Sequence, residues 1–211
     1  MTDRLTWTVT SSEITFQDRW LTVRSDWCLT PRGDRIGPYH VVRYPNWINV
    51  VAVTRDGELV LAREYRHGAG QVVLGLPSGA IDAADGVEAE GAALRAANRE
   101  LMEETGYAAG RLEHILGAWP NPANQDNRAT SFLALDLVAG GETKPDLGEE
   151  IEVELHGFAK GLRDLASGEL DMQAMHIAAL WAAARRILVL GEASGLASET
   201  RREIAAALTG V

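Results

Sequence analysis

Alternating apolar and polar residues in the first part of the chain are typical of half-buried β-strands. This pattern predicts strands over 19–29, 39–44, 49–54 and 59–64. Arg55-Asp56-Gly57 is a turn sequence, and it predicts a hairpin between the last two of these strands. Further strands are predicted over 112–119, 131–138 and 151–155.

Apolar residues recur at helical spacing in the second half of the chain, for example at Met175, Ala179 and Ile187. Helices are predicted over 90–105, 159–167, 172–191 and 198–208. The strands and helices alternate without regular βαβ units. The pattern therefore predicts an α+β fold or a mixed-sheet sandwich rather than a doubly wound fold.

The composition narrows the class of protein. A chain of 211 residues with 46% apolar and 24% charged residues is most simply one globular domain with a small elaboration. Its net charge of −10 argues against binding to nucleic acid or to an anionic membrane, and no uninterrupted apolar run approaches a membrane span of about 20 residues. The single cysteine, Cys28, and an N-terminus without an apolar leader predict a cytoplasmic location.

Three carboxylates are concentrated near the end of the first predicted helix. Glu100, Glu103 and Glu104 stand at positions i, i+3 and i+4, and Gly106 follows as a natural helix terminator. Like charges at this spacing repel, so the arrangement is unfavourable by itself. A hard divalent cation such as Mg²⁺ would convert the repulsion into binding, whereas the alternative is an ordinary solvated acidic face.

The sequence around these acids resembles the signature of the Nudix hydrolases. That signature has a Gly, a Glu six residues later, and then Arg-Glu-x-x-Glu-Glu-x-Gly, which is complete here from Arg99 to Gly106. The first half departs from it, since Gly91 stands eight residues before Arg99 and Asp85 stands six residues after Gly79. An insertion of about six residues over 85–90 reconciles both counts. It leaves the acid that pairs with Arg99 open among three residues, Asp85, Glu88 and Glu90.

The resemblance extends over most of the chain and implies a fold. It implies an α/β/α sandwich around a mixed sheet for residues 46–205. Residues 1–45 would form a separate small antiparallel sheet, as in the ADP-ribose pyrophosphatase branch. In that branch the N-terminal sheet reaches the partner subunit, so a homodimer is expected. Pro122, sixteen residues after Gly106, has the spacing that marks this branch and is expected to contact substrate.

The resemblance also implies roles for individual residues at a metal site. Glu100 and Glu104, with the backbone carbonyl of Ser78, would bind Mg²⁺, or Mn²⁺ as an alternative. Glu103 would lie beside them, and Arg99 would orient the helix acids through a salt bridge. Gly75 stands where close relatives carry Glu, which removes one contact that the family pattern would otherwise provide.

The resemblance also implies residues that contact the substrate and a residue that activates the attacking water. Arg66 is expected to contact a phosphate. Glu149, two residues before Ile151, is expected to act as the base, with Glu150 in reserve. Trp20 and Tyr39 are placed in the N-terminal sheet as platforms for the nucleotide base, and the alternative is that they are packing aromatics.

These residues together predict Mg²⁺-dependent hydrolysis of the pyrophosphate bond of ADP-ribose or a related nucleoside diphosphate sugar. One alternative is a pyrophosphatase for another nucleotide sugar, such as a GDP- or UDP-sugar. A second, from a different class, is a Nudix module that senses a nucleotide without catalysis. The intact helix carboxylates favour the enzyme.

Overall fold

The computed structural model describes residues 3–86, 89–144 and 148–210. The chain divides into two compact units. The first comprises Met1–Asn46 and Ala118–Arg128, and the second comprises Trp47–Gly117 and Ala129–Val211.

The first unit contains a three-stranded antiparallel sheet. Its strands, in spatial order, are β1 (Thr8–Gln17), β2 (Thr22–Leu29) and β3 (Arg35–Arg43). The sequence pattern missed β1 because its three apolar residues, Val9, Ile14 and Phe16, do not alternate regularly along the strand. The predicted start of β2 at Arg19 is wrong, because Asp18 accepts hydrogen bonds from the backbone N–H groups of Trp20 and Leu21 and holds them in a turn.

The segment 118–128 joins this first unit although it lies far away in sequence. The backbone N–H of Val42 donates to the carbonyl of Asn124 at 2.7 Å. The Arg43 side chain donates to Asp126 at 3.0 Å, and Asn127 donates to the carbonyl of Pro45 at 3.1 Å. These bonds tie the proline-containing loop to β3 and to the chain that follows it.

The second unit is built on a mixed sheet with the strand order β10-β5-β4-β9-β8. Strands β4 and β9 run parallel, whereas β4–β5 and β5–β10 are antiparallel, and the short strands β6 and β7 pair with β5 and β4. The predicted hairpin between β4 and β5 is confirmed. The strands are β4 (Trp47–Val53), β5 (Glu58–Arg66), β6 (Gln71–Gly75), β7 (Ser78–Ala80), β8 (Tyr107–Ala118), β9 (Ala129–Ala139) and β10 (Glu152–Gly157).

Helices cover both faces of this sheet. Along β4, Val50 and Ala52 pack in the same buried cluster as Leu101 of α1. Val51 and Val53 belong to the opposite cluster, with residues from the other three helices. This alternation confirms the predicted α/β/α sandwich with a mixed sheet. The helices are α1 (Ala89–Thr105), α2 (Phe158–Ser167), α3 (Ala174–Leu190) and α4 (Ser198–Thr209).

Helix α3 is the most apolar helix of the second unit. With the following turn it forms a stretch of 21 residues, Ala174–Ser194, which is long and apolar enough by length and composition to cross a membrane. Leu180, Ala183 and Ile187 of this helix are fully buried in the core cluster. Packing against the sheet therefore accounts for the apolar character of one side of α3.

Candidate active site

The end of α1 sets the positions of the helix carboxylates. Gly106 has a φ of +71°, and its N–H donates to the carbonyl of Met102 at 2.8 Å, which ends the helix. Leu101 is fully buried and fixes the rotation of the last turns against the core. The neighbouring positions Glu100, Glu103 and Glu104 are thereby held in the last turns, as the sequence predicted.

Arg99 is the centre of a charge network at this helix end. Its guanidinium donates to both carboxylate oxygens of Asp85, at 3.3 and 3.1 Å, and to Glu100 at 2.8 Å and Glu103 at 3.1 Å. It also donates to the carbonyl of Ala80, the last residue of β7, at 3.2 Å. Of the three acids left open for this role, Asp85 is thus the one whose described side chain pairs with Arg99, and the exposed Asp82 lies 3.8 Å from the same guanidinium.

Of the other two acids considered for this role, Glu88 and the side chain of Glu90 lie outside the described part of the chain. Asp85 is buried, and burial alone would raise its pKa. The hydrogen bonds from Arg99 and from the backbone N–H of Asp82 outweigh burial and hold the pKa of Asp85 below its usual value. Asp85 is therefore a carboxylate that keeps its charge and anchors Arg99.

Two of the helix carboxylates lie against the β7 strand. The backbone N–H of Ser78 donates to Glu104 at 3.1 Å, and the Glu104 side chain is almost completely buried. Gly79 has no side chain where the Glu100 carboxylate lies, since a Cβ there would be only 1.9 Å from the nearer Glu100 oxygen. Because β7 pairs with the central strand β4, the sheet positions both acids.

The electrostatics of this pair fit a bound cation. Burial, followed by repulsion from Glu100, raises the pKa of Glu104 to about 9. Burial also raises the pKa of Glu100 to about 7, although its bonds to Arg99 oppose the rise. Even with Arg99 beside Glu100, the two carboxyl groups cannot both ionise cheaply, and a hard divalent ion is the further positive partner that oxygen donors prefer.

No three acidic, imidazole or thiol side chains of residues 3–86, 89–144 and 148–210 converge closely enough to hold a metal ion as they stand. Mg²⁺ sites commonly use only one or two protein carboxylates and complete their coordination with water and substrate phosphates. The buried Glu104 and the half-buried Glu100 beside the β7 backbone are compatible with that donor set.

A pocket of about 700 Å³ opens next to these acids, within the second unit. Ser78 and Gly79 form part of its wall, together with Arg66 at the end of β5 and Glu149 before β10. The negative charge of Glu149 adds to the rise in pKa of both Glu100 and Glu104, which sets its carboxylate near theirs. The structure therefore brings the predicted base and phosphate ligand to one pocket, and Glu100 and Glu104 lie against the β7 residues of its wall.

Glu64 is a pocket residue that sequence reasoning missed. It is buried at the end of β5 and forms an ion pair with Arg66. Burial raises its pKa, with Arg66 opposing and Glu149 adding to the rise. The signal available in the sequence was a Glu two residues before an Arg on the same strand, so that both side chains fall on one face.

His176 is a second residue that was not anticipated. Its ring is buried at the start of α3, and the N–H of Leu76 donates to its Nδ1 at 3.1 Å. Burial, with the positive charge of Arg66, lowers the pKa of His176 to about 4, so the ring is neutral near pH 7. A Cβ at Gly75 would lie 3.2 Å from this Nδ1, so the absence of the expected Glu at Gly75 leaves room for the imidazole.

Trp20 and Tyr39, predicted to stack on the nucleotide base, and Pro122, predicted to contact substrate, belong to the first unit. Trp20 lies in the β1–β2 turn rather than in a strand, is 64% exposed, and has the Arg19 guanidinium 4.3 Å above its ring. Tyr39 lies in β3, packs edge-on against Trp7, and donates its hydroxyl to the carbonyl of Ala123. Pro122 adjoins this carbonyl in the exposed loop.

The fold and this arrangement agree with comparisons to known proteins. The NUDIX domain family matches residues 45–170, and the nucleoside diphosphate sugar hydrolase N-terminal domain matches residues 7–42. The first match covers more than half of the sequence, and the chain belongs to the Nudix hydrolase family. The resemblance seen in the sequence is confirmed.

Individual relatives agree with this assignment. The chain is 33% identical to the ADP-ribose pyrophosphatase of Bacillus subtilis (strain 168) over 115 residues, which is 54% of this chain but only 58% of that protein. It is 26% identical to the methanol dehydrogenase activator of Bacillus methanolicus over 144 residues, covering 68% of this chain and 74% of the relative. A crystal structure of an ADP compounds hydrolase superposes with a TM-score of 0.72 at 27% identity, covering 88% of this chain and 96% of the other.

Proposed function

We propose that this protein is a Mg²⁺-dependent pyrophosphohydrolase for ADP-ribose or a related nucleoside diphosphate sugar, with a nucleoside monophosphate and a sugar phosphate as products. The observation that carries the proposal is the pocket that Arg66 and Glu149 line, next to the Glu100–Glu104 pair. The ADP-ribose pyrophosphatase and the ADP compounds hydrolase among the relatives support this class of substrate.

In this proposal Glu100, Glu104 and the backbone carbonyl of Ser78 would hold a Mg²⁺ ion, with Mn²⁺ as a substitute. A bound divalent ion would neutralise phosphate charge and lower the pKa of a water molecule. Arg99, fixed by Asp85, keeps Glu100 and Glu103 from turning away from that site. Arg66 donates to the non-bridging oxygens of the pyrophosphate, and its ion pair with Glu64 orients the guanidinium for this contact.

Glu149 is the proposed general base. It accepts a proton from water as the water oxygen attacks one phosphorus atom, and the bond from that phosphorus to the bridging oxygen breaks. The other phosphate leaves with the electron pair of the broken bond. The charge of Glu149 is felt by three acids of the pocket, Glu64, Glu100 and Glu104, which supports a position near the metal and the water.

The proposal extends to the first unit and to the assembly. Residues 1–45 are proposed as the subdomain that binds the base, through Trp20 and Tyr39, and residues 46–205 as the hydrolase domain, in which Pro122 contacts substrate. A cytoplasmic homodimer is proposed, and the exposed apolar side chains of Val9, Ile14 and Phe16 on β1 support a role for this strand in self-association. Light scattering coupled to size exclusion chromatography measures this directly: a dimer mass is expected, and a monomer at micromolar concentration would contradict it.

The proposed activity is tested by a substrate screen with Mg²⁺. We expect ADP-ribose and nucleotide sugars to be hydrolysed faster than dinucleoside polyphosphates and nucleoside triphosphates. Glu104→Gln should lower kcat by roughly two orders of magnitude or more, because it removes a metal ligand. Faster turnover of a triphosphate, or full activity of Glu104→Gln, would contradict the proposal. Preference for a GDP- or UDP-sugar identifies the alternative substrate, and binding without turnover identifies a sensor.

A further inference from the structure

Asn49 is a polar residue in the middle of the apolar strand β4. Its register partners are Ser78 of β7 on one side and Ser131 of β9 on the other. It is only 1% exposed, yet it forms part of the pocket wall. Within the described residues, no group donates a hydrogen bond to its Oδ1.

A buried acceptor without a donor is unfavourable, and most buried polar side chains in proteins are paired. The neighbours of Asn49 on the strand, Ile48 and Val50, are apolar, and an apolar residue of similar volume at this position would avoid the unpaired oxygen. Asn49 therefore weakens the fold locally, at a position that borders the pocket. A ligand that supplies a donor would remove this disadvantage.

The chemistry of the acceptor limits that ligand. An amide oxygen accepts hydrogen bonds, and ionised phosphate oxygens cannot donate them. The pyrophosphate of the proposed substrate therefore cannot satisfy Asn49. The neutral donors that a nucleoside diphosphate sugar carries in number are its sugar hydroxyls. Sites that bind a substrate hydroxyl through a buried polar group discriminate strongly against analogues without it.

We propose that Asn49 accepts a hydrogen bond from a sugar hydroxyl of the substrate and so contributes to specificity for the sugar. This inference rests on the proposed function. The hydroxyl belongs either to the terminal sugar or to the ribose of the nucleoside, and these two sources are separated by the choice of analogue.

The test compares wild type with two variants of similar side-chain size. Asn49→Leu removes the acceptor, and Asn49→Asp retains an acceptor oxygen. For each protein, kcat/KM is measured on ADP-ribose, on analogues that lack single hydroxyls of the terminal ribose, and on analogues that lack the 2′- or the 3′-hydroxyl of the nucleoside. For wild type, kcat/KM should be roughly tenfold or more lower on one analogue than on ADP-ribose. Asn49→Leu should no longer discriminate against that analogue, whereas Asn49→Asp should still do so. The analogue affected identifies the hydroxyl.

Melting temperatures separate this role from a structural one. Asn49→Leu should melt no lower than wild type, since it removes an unpaired polar group. The proposal is overturned if wild type hydrolyses every deoxy analogue with the same kcat/KM as ADP-ribose, or if Asn49→Leu keeps the wild-type ratio of kcat/KM values. It is also overturned if the substitution changes the Mg²⁺ requirement instead of this ratio. If wild type hydrolyses none of these compounds, the proposed function fails. The role of Asn49 is then still tested by calorimetry, through the ratio of the dissociation constants of the deoxy analogues and ADP-ribose.

Discussion

Gly79 and Glu100 show how the site depends on a single missing side chain. The Glu100 carboxylate occupies the space where a Cβ on Gly79 would stand. The obstacle to a larger residue is the end of a flexible side chain rather than backbone. A substitution at Gly79 should therefore displace the carboxylate and leave the fold intact.

Gly79→Ala is expected to lower the affinity for Mg²⁺ by about tenfold or more, because Glu100 is pushed out of place. The free energy of unfolding should change by less than about 1 kcal/mol, since Glu100 can rotate away. Metal titration followed by activity and by calorimetry measures the first quantity, and denaturant unfolding of the metal-free protein measures the second. Gly157→Ala is the control, because a Cβ there meets only Lys160 at 3.8 Å. Unchanged metal affinity in Gly79→Ala would show that the position of Glu100 is not critical.

Sequence reasoning succeeded for residues whose spacing along one helix determines their neighbours, as for Glu100 and Glu104. It missed Glu64 and His176 because their environment depends on how separate elements pack. The buried state of Glu64 is created by the pocket, and the pairing of His176 with Leu76 joins residues 100 positions apart. Trp20 was misplaced because the local hydrogen bonds of Asp18 turn the chain where alternation suggested a strand.

At the level of elements, the 3₁₀ turn Ala83–Asp85 holds the end of α1. Asp82 and Asp85 both pair with the Arg99 guanidinium, but they differ in exposure and in distance. Asp85 is 5% exposed and lies 3.1 Å from Arg99, whereas Asp82 is 65% exposed and lies 3.8 Å away. A buried charge pair is strongly coupled, and an exposed pair contributes little.

Asp85→Asn should therefore destabilise the protein by about 1–3 kcal/mol, because Arg99 loses its buried counter-charge. It should also lower kcat, since Glu100 and Glu103 are held through the same guanidinium. Asp82→Asn makes a matched control with the same chemical change and should be close to wild type in both properties. Equal effects in the two variants would mean that Asp85 does not have the special role assigned to it.

The segment before β10 carries the proposed base. Glu149 is partly buried and lines the pocket, whereas its neighbour Glu150 is exposed. Glu149→Gln should lower kcat by roughly 10²–10⁴-fold and change KM little, because proton transfer matters mainly in the transition state. Glu150→Gln should have a much smaller effect in the same steady-state assay. A larger loss in Glu150→Gln would assign the base to that residue instead.

At the level of the whole molecule, the α/β/α sandwich was predictable because apolar periodicity and the Nudix signature point to the same architecture. The association of residues 118–128 with β3 was not predictable, since their sequence is typical of a loop and their hydrogen bonds to β3 form only on folding. Glu100 and Glu104 lie against β7, which pairs with the central strand β4 of the mixed sheet. Because burial raises the pKa of both acids, the stability of the metal-free protein depends on pH.

The direction of this dependence follows from the pKa values of Glu100 and Glu104. Both are raised above the ordinary value of 4.5, to about 7 and about 9, so the folded protein retains protons that the unfolded chain releases. The metal-free protein should therefore lose stability as pH rises from about 5 to about 9. Glu104→Gln removes the larger of the two contributions and should flatten the decline, making the variant more stable than wild type near pH 8 but not near pH 4.5.

Melting temperatures of chelator-treated protein across this pH range measure the effect, with the exposed Glu150→Gln as the control. Added Mg²⁺ should raise the melting temperature of wild type more at about pH 8.5 than at about pH 6, because the ion binds the deprotonated carboxylates. In Glu104→Gln this gain should be smaller at both pH values. A Mg²⁺ effect that is independent of pH, or equal in the two proteins, would locate the metal away from the Glu100–Glu104 pair.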